Sequence, residues 1–277
     1  MLGAIIGDIA GSRFEFKNFR TKHFTLFHPK SRLTDDSAMT LALAGAVMET
    51  DSQRPQRDAA YYDALRENAV RWMREYGKLY PGYGYGGNFA VWLFCYQPRP
   101  YNSFGNGAAM RVSPAGWAAR TEEEALLLAD ALTDVTHNHP EGIKGARATA
   151  LCIYLARTGA SQADIRGRIE KDYYKLDFTI DQIRPTYSFN ETCQGTVPQA
   201  IQCFLESVDF EDTVRTAVSL GGDSDTVAAI AGSIGEAYFG IPDSIRDQAL
   251  PYMDERQRSL YLQWAEAHPA PERGSRD

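Results

Sequence analysis

Two short acidic segments are the clearest candidates for chemistry, because each begins an apolar stretch with helical spacing. Residues 33–40 read LTDDSAMT, and residues 220–227 read LGGDSDTV. Neighbouring carboxylates repel each other, so such groups persist where solvent, a helix end or a bound cation relieves the repulsion. The first segment alone is equally well explained as ordinary capping, with Thr34 as the N-cap and Asp35 and Asp36 in the first helical turn.

The second segment offers more oxygen ligands than a helix cap needs. Asp223 and Asp225 are followed by Thr226, and glycines at 221 and 222 permit a tight turn just before them. Carboxylate and hydroxyl oxygens suit hard cations such as Mg²⁺ or Mn²⁺. If the two helix starts converge, their four carboxylates and two threonine hydroxyls are enough for two divalent ions. The residues therefore predict a binuclear metal site.

The composition is that of an acidic globular protein. The chain has 277 residues, 44% of them hydrophobic, a net charge of −7 and a sequence pI near 5.3. This balance argues against a general affinity for nucleic acid or for an anionic membrane. The first residues lack a basic region and are interrupted by Asp8, so we expect no signal peptide and a soluble, cytoplasmic monomer. The four cysteines lack zinc-like spacing, which predicts free thiols.

Helical periodicity dominates the apolar pattern, as it does between Ala59 and Met73. Sustained strand-like alternation, internal repeats and an interdomain linker are not found. The sequence therefore predicts an all-α fold, a compact multi-helical single domain over residues 1–267, followed by a flexible tail over residues 268–277.

Small residues indicate how the two acidic segments could meet. Gly3, Gly7 and Gly11 recur at every fourth position, and glycines and alanines also follow Asp225. The pattern is not the GxGxxG fingerprint of a dinucleotide site. We expect these small residues to let two helices pack closely.

Five motifs in order along the chain resemble those of the ADP-ribosylglycohydrolase family, the group of dinitrogenase reductase-activating glycohydrolase. They are GAIIGDIAGSRFEF, LTDDSAMT, SFGNGAAMRVSPAG, THNHPEG and SLGGDSDTVAAIAGSIGEAYFG. The resemblance implies an all-α hydrolase that releases ADP-ribose from a modified group, with a binuclear Mg²⁺ or Mn²⁺ centre at the ribose distal to adenosine. The metal ligands that it implies are Thr34, Asp35, Asp36, Asp223, Asp225 and Thr226.

The resemblance also gives roles to residues that have plainer explanations. Glu15 lies between Phe14 and Phe16, and an apolar setting there would raise its pKa. The same sequence is also consistent with an ordinary glutamate on the protein surface. Glycines around Asn106 would let backbone N–H groups approach a diphosphate, although a turn before a helix explains them too. The resemblance implies that Glu15 is catalytic. The substrate-binding residues that it implies are Ser103, Phe104, Gly105, Asn106, Gly107 and His137.

The two histidines of THNHPEG do not predict zinc, because no third ligand accompanies them at a familiar spacing. By resemblance His137 contacts the phosphate or ribose, while His139 shapes the loop. Aromatic side chains near residue 85 are explained either by ligand stacking or by an ordinary glycine-rich loop; they are Tyr83, Tyr85 and Phe89.

The linkage that is cleaved stays open. Arginine-directed family members carry an additional acid after the second long helix, where this chain has Asn88. This departure argues against arginine specificity and leaves serine-linked ADP-ribose, modified nucleic-acid ends, O-acetyl-ADP-ribose and free ADP-ribosylated small molecules open as substrates.

Rival functions come from other protein classes. A non-catalytic ADP-ribose-binding or crystallin-like relative is disfavoured by the intact acidic motifs. A Mg²⁺-dependent phosphohydrolase would also use acidic helix starts. A prenyl-diphosphate enzyme would require a DDxxD pattern, whereas Asp36 is followed by Ser-Ala-Met.

Overall fold

The computed structural model describes residues 1–269, in which α-helices connected by loops are the main regular secondary structure. In chain order the helices are α1 Leu2–Gly11, α2 Asp35–Gln53, α3 Ala59–Leu79, α4 Gly87–Phe94, α5 Gly107–Met110, α6 Ser113–Ala118, α7 Glu122–Thr133, α8 Pro140–Arg157, α9 Gln162–Asp172, α10 Ile180–Ile183, α11 Cys193–Leu205, α12 Phe210–Leu220, α13 Ser224–Phe239, α14 Asp243–Ala249 and α15 Glu255–Ala267. Within residues 1–269 there is no β-strand, so the all-α prediction is confirmed. The domain boundary at 267 stays a prediction, and residues 270–277 of the predicted tail lie outside the described residues.

Local sequence explains where the two helices that carry the acidic motifs begin. The side chain of Thr34 accepts a hydrogen bond from the backbone N–H of Asp36 at 3.4 Å, which confirms the predicted N-cap of α2. Helix α13 begins after Asp223, whose side chain makes no capping bond. The turn before it uses Gly221 and Gly222 with φ of 77° and 69°, a left-handed conformation that glycine adopts without strain. The Asp223 carboxylate is therefore free of any capping role.

Three helices form the centre of the molecule. Every residue of α1 is buried, and so are residues 36–47 of α2 and residues 224–235 of α13. The remaining helices pack around these three, and no helix within residues 1–269 has both the length and the apolar character required to cross a bilayer. The cysteines are free, as predicted, and only Cys95 among them is partly exposed.

Helices α1 and α13 lie in unusually close, antiparallel contact. A Cβ at Gly3 would lie 2.2 Å from the carbonyl oxygen of Gly232, and a Cβ at Gly7 would lie 2.0 Å from that of Ala228. At Gly11 the added atom would meet Asp225 Cα at 2.5 Å. The predicted role of these glycines in close helix packing is confirmed. The contact brings the C-terminal end of α1 against the first turn of α13.

We expect the substitution Gly7→Ala to lower the free energy of unfolding by about 1 to 3 kcal/mol, because the new methyl group meets backbone atoms that have no space to move. The matched control is Gly167→Ala in α9, where nothing lies within 4 Å of the new Cβ. This control should gain about 1 kcal/mol from helix propensity. Urea unfolding of both variants measures the difference, and an unchanged midpoint for Gly7→Ala would contradict the close contact.

Candidate active site

The starts of α2 and α13 meet through their side chains. Thr226 Oγ1 donates to Asp36 Oδ2 at 3.2 Å across a sequence separation of 190 residues. Thr34 Oγ1 lies 3.5 Å from the same oxygen. The other oxygen, Asp36 Oδ1, is buried and has no hydrogen-bond partner. An orphaned carboxylate oxygen in a buried cluster has the chemistry of a cation ligand, so the predicted convergence has produced a place where a metal ion fits.

A buried carboxylate beneath this junction holds the start of α2 in place. Asp8 is fully buried and accepts hydrogen bonds from Thr34 N at 2.9 Å, Thr34 Oγ1 at 2.8 Å and Ser37 N at 3.1 Å, and another from the Ser37 hydroxyl. Sequence analysis missed this role and treated Asp8 only as an interruption of an apolar run. The available signal was that one acid inside an apolar helix needs several donors.

A second group of carboxylates lies beside the first. Ligand oxygens of Glu15, Asp223 and Asp225 all lie within 4.8 Å of one another. Asn106 Nδ2 donates to Asp223 Oδ2 at 2.6 Å and so fixes one member of the group. The motif positions had placed Glu15 near the predicted metal ligands, and the structure brings it into contact distance with two of them. Asn106 was predicted to bind substrate, whereas its amide is engaged with Asp223.

All these acids have raised pKa values, chiefly because burial disfavours their charged forms. Burial, followed by repulsion from Asp223, raises the pKa of Glu15 to about 7. Burial and repulsion from Asp8 raise the pKa of Asp35 to about 8. The same two causes raise the pKa of Asp36 well above its ordinary range, and burial with repulsion from Asp223 does so for Asp225. The carboxylates therefore need an added positive charge to be ionised together near neutral pH.

The direction of the pKa shift predicted for Glu15 is confirmed, but part of its expected cause is wrong. Phe14 is buried as expected, whereas Phe16 is 76% exposed and provides no apolar cover. Burial is still the largest cause of the raised pKa of Glu15, and repulsion from the carboxylates of Asp223 and Asp8 adds to it.

A cavity of about 220 Å³ opens over the acids. Most of the predicted site residues line it, and these are Glu15, Asp35, Asp36, Ser103, Gly105, Asn106, Gly107, His137, Asp223, Asp225 and Thr226. Two predicted residues do not: Thr34 lies below the surface on Asp8, and Phe104 is 44% exposed with its ring 5.2 Å from that of His139. Among the aromatic candidates Phe89 lines the cavity, and Tyr83 and Tyr85 do not.

Two further charged residues line the cavity and were missed by sequence analysis. Glu191 is exposed, and Arg111 is buried. Only the position of Arg111 in the apolar run AAMRVSPAGWAA could have indicated it, because a lone charge there must be buried. A larger groove of about 740 Å³ between α3 and α15 is lined by none of these site residues.

The histidines of THNHPEG have different surroundings, and the predicted ligand contact of His137 stays a prediction. His139 is the N-cap of α8, where its Nδ1 accepts from Glu141 N at 3.1 Å. His137 is buried in the cavity wall, and its pKa lies well below the ordinary value because of burial and the charge of Arg111. His137 is therefore neutral near pH 7.

The model of the ADP-ribosylglycohydrolase family matches residues 1–267. The chain belongs to the ADP-ribosylglycohydrolase family. This assignment agrees with the resemblance carried by the five motifs, and it makes the chain a hydrolase of that family. Human "ADP-ribosylhydrolase ARH3" is 28% identical, over 88% of this chain and 86% of the relative. The "ADP-ribosylarginine hydrolase Tri1" of Pseudomonas putida (strain GB-1) is also 28% identical, over 87% of this chain and 70% of the relative.

A solved structure described as "ADP-ribosylglycohydrolase-related protein complex" shares the fold of this ADP-ribosylglycohydrolase family member. The TM-score is 0.63 at 23% identity, and the match covers 96% of this chain and 95% of the other. The shared fold extends over nearly the whole length of both proteins.

We expect the stability of the metal-free protein to fall as the pH rises from about 4 to about 8. In the folded protein the pKa values of Glu15 and Asp35 are raised to about 7 and about 8. The same carboxyl groups ionise at lower pH in the unfolded chain, so the unfolded state is favoured increasingly as the pH rises through this window. Mg²⁺ or Mn²⁺ should reverse the loss, because these ions bind deprotonated carboxylates. At a hundredfold excess over Kd, the melting temperature near neutral pH should rise by about 5 °C.

Thermal unfolding with chelator and with added ion, at about pH 5.5 and at about pH 8, measures this effect. Asp36→Asn should lose most of the gain. The control Glu75→Gln changes an exposed acid in the groove between α3 and α15 and should keep the whole gain. A metal-induced gain that is absent at the higher pH would contradict the predicted site.

Proposed function

We propose that the chain is a metal-dependent hydrolase that releases ADP-ribose by cleaving the glycosidic bond at the distal ribose. The observation that carries the proposal is the junction of Asp36 and Thr226 beside the carboxylates of Glu15, Asp223 and Asp225, all at one cavity. Membership of the ADP-ribosylglycohydrolase family supports the reaction class.

The donor set favours two divalent ions, Mg²⁺ or Mn²⁺, because every candidate ligand offers oxygen and Asp36 Oδ1 lacks a partner. The proposed ligands are Thr34, Asp35, Asp36, Asp223, Asp225 and Thr226. When bound, the ions would neutralise the carboxylates and hold the ribose hydroxyls as Lewis acids. Asp8 and Asn106 orient two of the ligand segments through the hydrogen bonds described above.

Glu15 is the proposed proton-transfer residue. Its carboxyl oxygen lies within 4.8 Å of carboxylate oxygens of Asp223 and Asp225, so it can reach a group held at the proposed metal site, and in the metal-free protein burial raises its pKa to about 7.

The loop of Gly105 to Gly107 lines the same cavity beside His137. The N–H groups of Gly105 and Asn106 already donate to Ser103 Oγ and to the carbonyl oxygen of Glu191, so the proposed diphosphate contacts from this part of the cavity are Gly107 and His137.

The residues at the opening of the cavity bear on which linkage is cleaved. Sequence comparison at Asn88 had argued against arginine, but Glu191 supplies an acid at the same cavity. A relative named as an ADP-ribosylarginine hydrolase supports keeping arginine as a second candidate. Release of ADP-ribose should be measured with arginine-linked and serine-linked peptides, a modified nucleic-acid end and O-acetyl-ADP-ribose. Glu191→Gln should selectively slow the arginine-linked substrate if that linkage is the natural one.

The panel also separates the rival functions. Binding of ADP-ribose without release from any substrate would favour a binding module. Divalent-ion-dependent release of phosphate, without ADP-ribose, would favour a phosphohydrolase. Either result would overturn the proposed activity.

We expect Glu15→Gln to lower turnover by roughly two to four orders of magnitude, the usual effect of losing a positioned acid or base. The amide keeps the shape of the carboxylate but cannot transfer its proton, so ADP-ribose affinity should stay near the wild-type value. Calorimetric binding and a hydrolysis assay on the same variant measure both quantities. Loss of binding together with turnover would instead make Glu15 a metal ligand.

Asp225→Ala should abolish detectable hydrolysis and weaken metal binding, because it removes one carboxylate from the close group. Titration of the variant with Mn²⁺ alongside the hydrolysis assay tests both effects. Wild-type turnover would remove Asp225 from the site.

A further inference from the structure

The lining of the cavity contains a buried guanidinium, that of Arg111, which forms no ion pair with a carboxylate within residues 1–269. Arg111 is 1% exposed, and its polar contacts in residues 1–269 are to Thr136 Oγ1 at 2.5 Å and to His137 Nδ1 at 3.2 Å. Its Nε is buried and has no partner, and its guanidinium lies 5.1 Å from the centre of the Phe89 ring. Burying a charge in this way is costly, so a task beyond filling space is indicated.

The contact with Arg111 decides which nitrogen of His137 carries the proton. A guanidinium has only N–H donors, so the nitrogen that faces it must accept. Thr136 Oγ1 lies 2.8 Å from the same Nδ1, and its hydroxyl donates to the carbonyl oxygen of Thr133 at 3.3 Å. A proton on Nδ1 would point at the N–H of Arg111. The contact with Arg111 therefore favours a neutral imidazole that carries its proton on Nε2.

The Nε2 side of the ring faces the glycine loop. A Cβ at Gly107 would lie 3.2 Å from Nε2, and a Cβ at Gly105 would lie 3.5 Å from it. The absence of side chains at both positions keeps the space beside Nε2 open. His137 and both glycines line the cavity, on the wall that carries Arg111.

We propose that Arg111 is a positioning residue that fixes His137 as a neutral Nε2–H donor and places a positive charge behind it, so that this wall receives the phosphate groups of the ligand. The inference deepens the proposed function and rests on it for the identity of ADP-ribose as ligand. The phosphates supply the negative charge that the buried guanidinium lacks. In this arrangement the distal ribose would lie at the acids and the diphosphate at His137.

The protonated nitrogen of His137 can be read by NMR of protein labelled with ¹⁵N-histidine. The chain has five histidines, and the spectrum of His137→Gln identifies the resonances of this one. We expect the wild-type ring near neutral pH to be neutral and protonated on Nε2. A ring protonated on Nδ1, or a doubly protonated ring, would overturn the proposal whatever the variants do.

Two substitutions at Arg111 separate positioning from packing. Arg111→Met keeps the apolar stem without the charge, and Arg111→Lys restores a donor and a charge. For Arg111→Met we expect an increased Nδ1–H population and ADP-ribose affinity reduced about tenfold or more, the loss of one charge-assisted contact. Arg111→Lys should recover part of both. A folded Arg111→Met with wild-type affinity would make Arg111 a packing residue.

Inorganic pyrophosphate provides a probe that is independent of hydrolysis. Its affinity should fall in Arg111→Met and His137→Gln, and it should stay unchanged in the control Glu75→Gln. Failure of every ADP-ribosylated substrate to react would remove the proposed function, while the pyrophosphate and NMR results would still test the task of Arg111. If Arg111→Met does not fold, Thr136→Val keeps the guanidinium and should keep the Nε2–H form.

Discussion

The repulsion among buried carboxylates is the constraint on which the rest of the structure depends. Glu15 and the aspartates of two helix starts share one cavity floor, where burial alone already disfavours their charges. Several features of the fold offset this cost. The N-terminal ends of α2 and α13 point partial positive charge at the acids, and Asp8 receives donors from two residues at the start of α2. A metal ion would complete the compensation.

The cavity is lined by charges of both signs. Glu15 and the aspartates of two helix starts supply the negative charge, and the guanidinium of Arg111 lies behind His137. A ligand that has both hydroxyl groups and phosphates offers a partner to each sign of charge. Under the proposed function this pairing would contribute to specificity, because phosphate placed beside the carboxylates would be repelled.

Sequence analysis predicted the features that depend on neighbours along the chain. The N-cap at Thr34, the glycine turn before Asp223 and the small-residue face of α1 are local patterns with local causes. The features it missed depend on partners that are distant in sequence. The burial of the Asp8 carboxylate is explained only by its donors at the start of α2. The burial of Arg111 is explained only by its contacts with Thr136 and His137, which follow α7. For the same reason Phe104 was placed correctly in the loop but not relative to the cavity.

The close contact between α1 and α13 has a consequence for how the protein matures. Ser224 donates to the carbonyl oxygen of Gly11 across 213 residues, and the junction of Thr226 with Asp36 spans 190. Contacts with such separations close very long loops, so they form late and slowly compared with helix hairpins. During synthesis on the ribosome, the face of α1 that packs against α13 stays uncovered until α13 has been synthesised. The interval in which aggregation is favoured is therefore set by the same close helix contact that supports the candidate site.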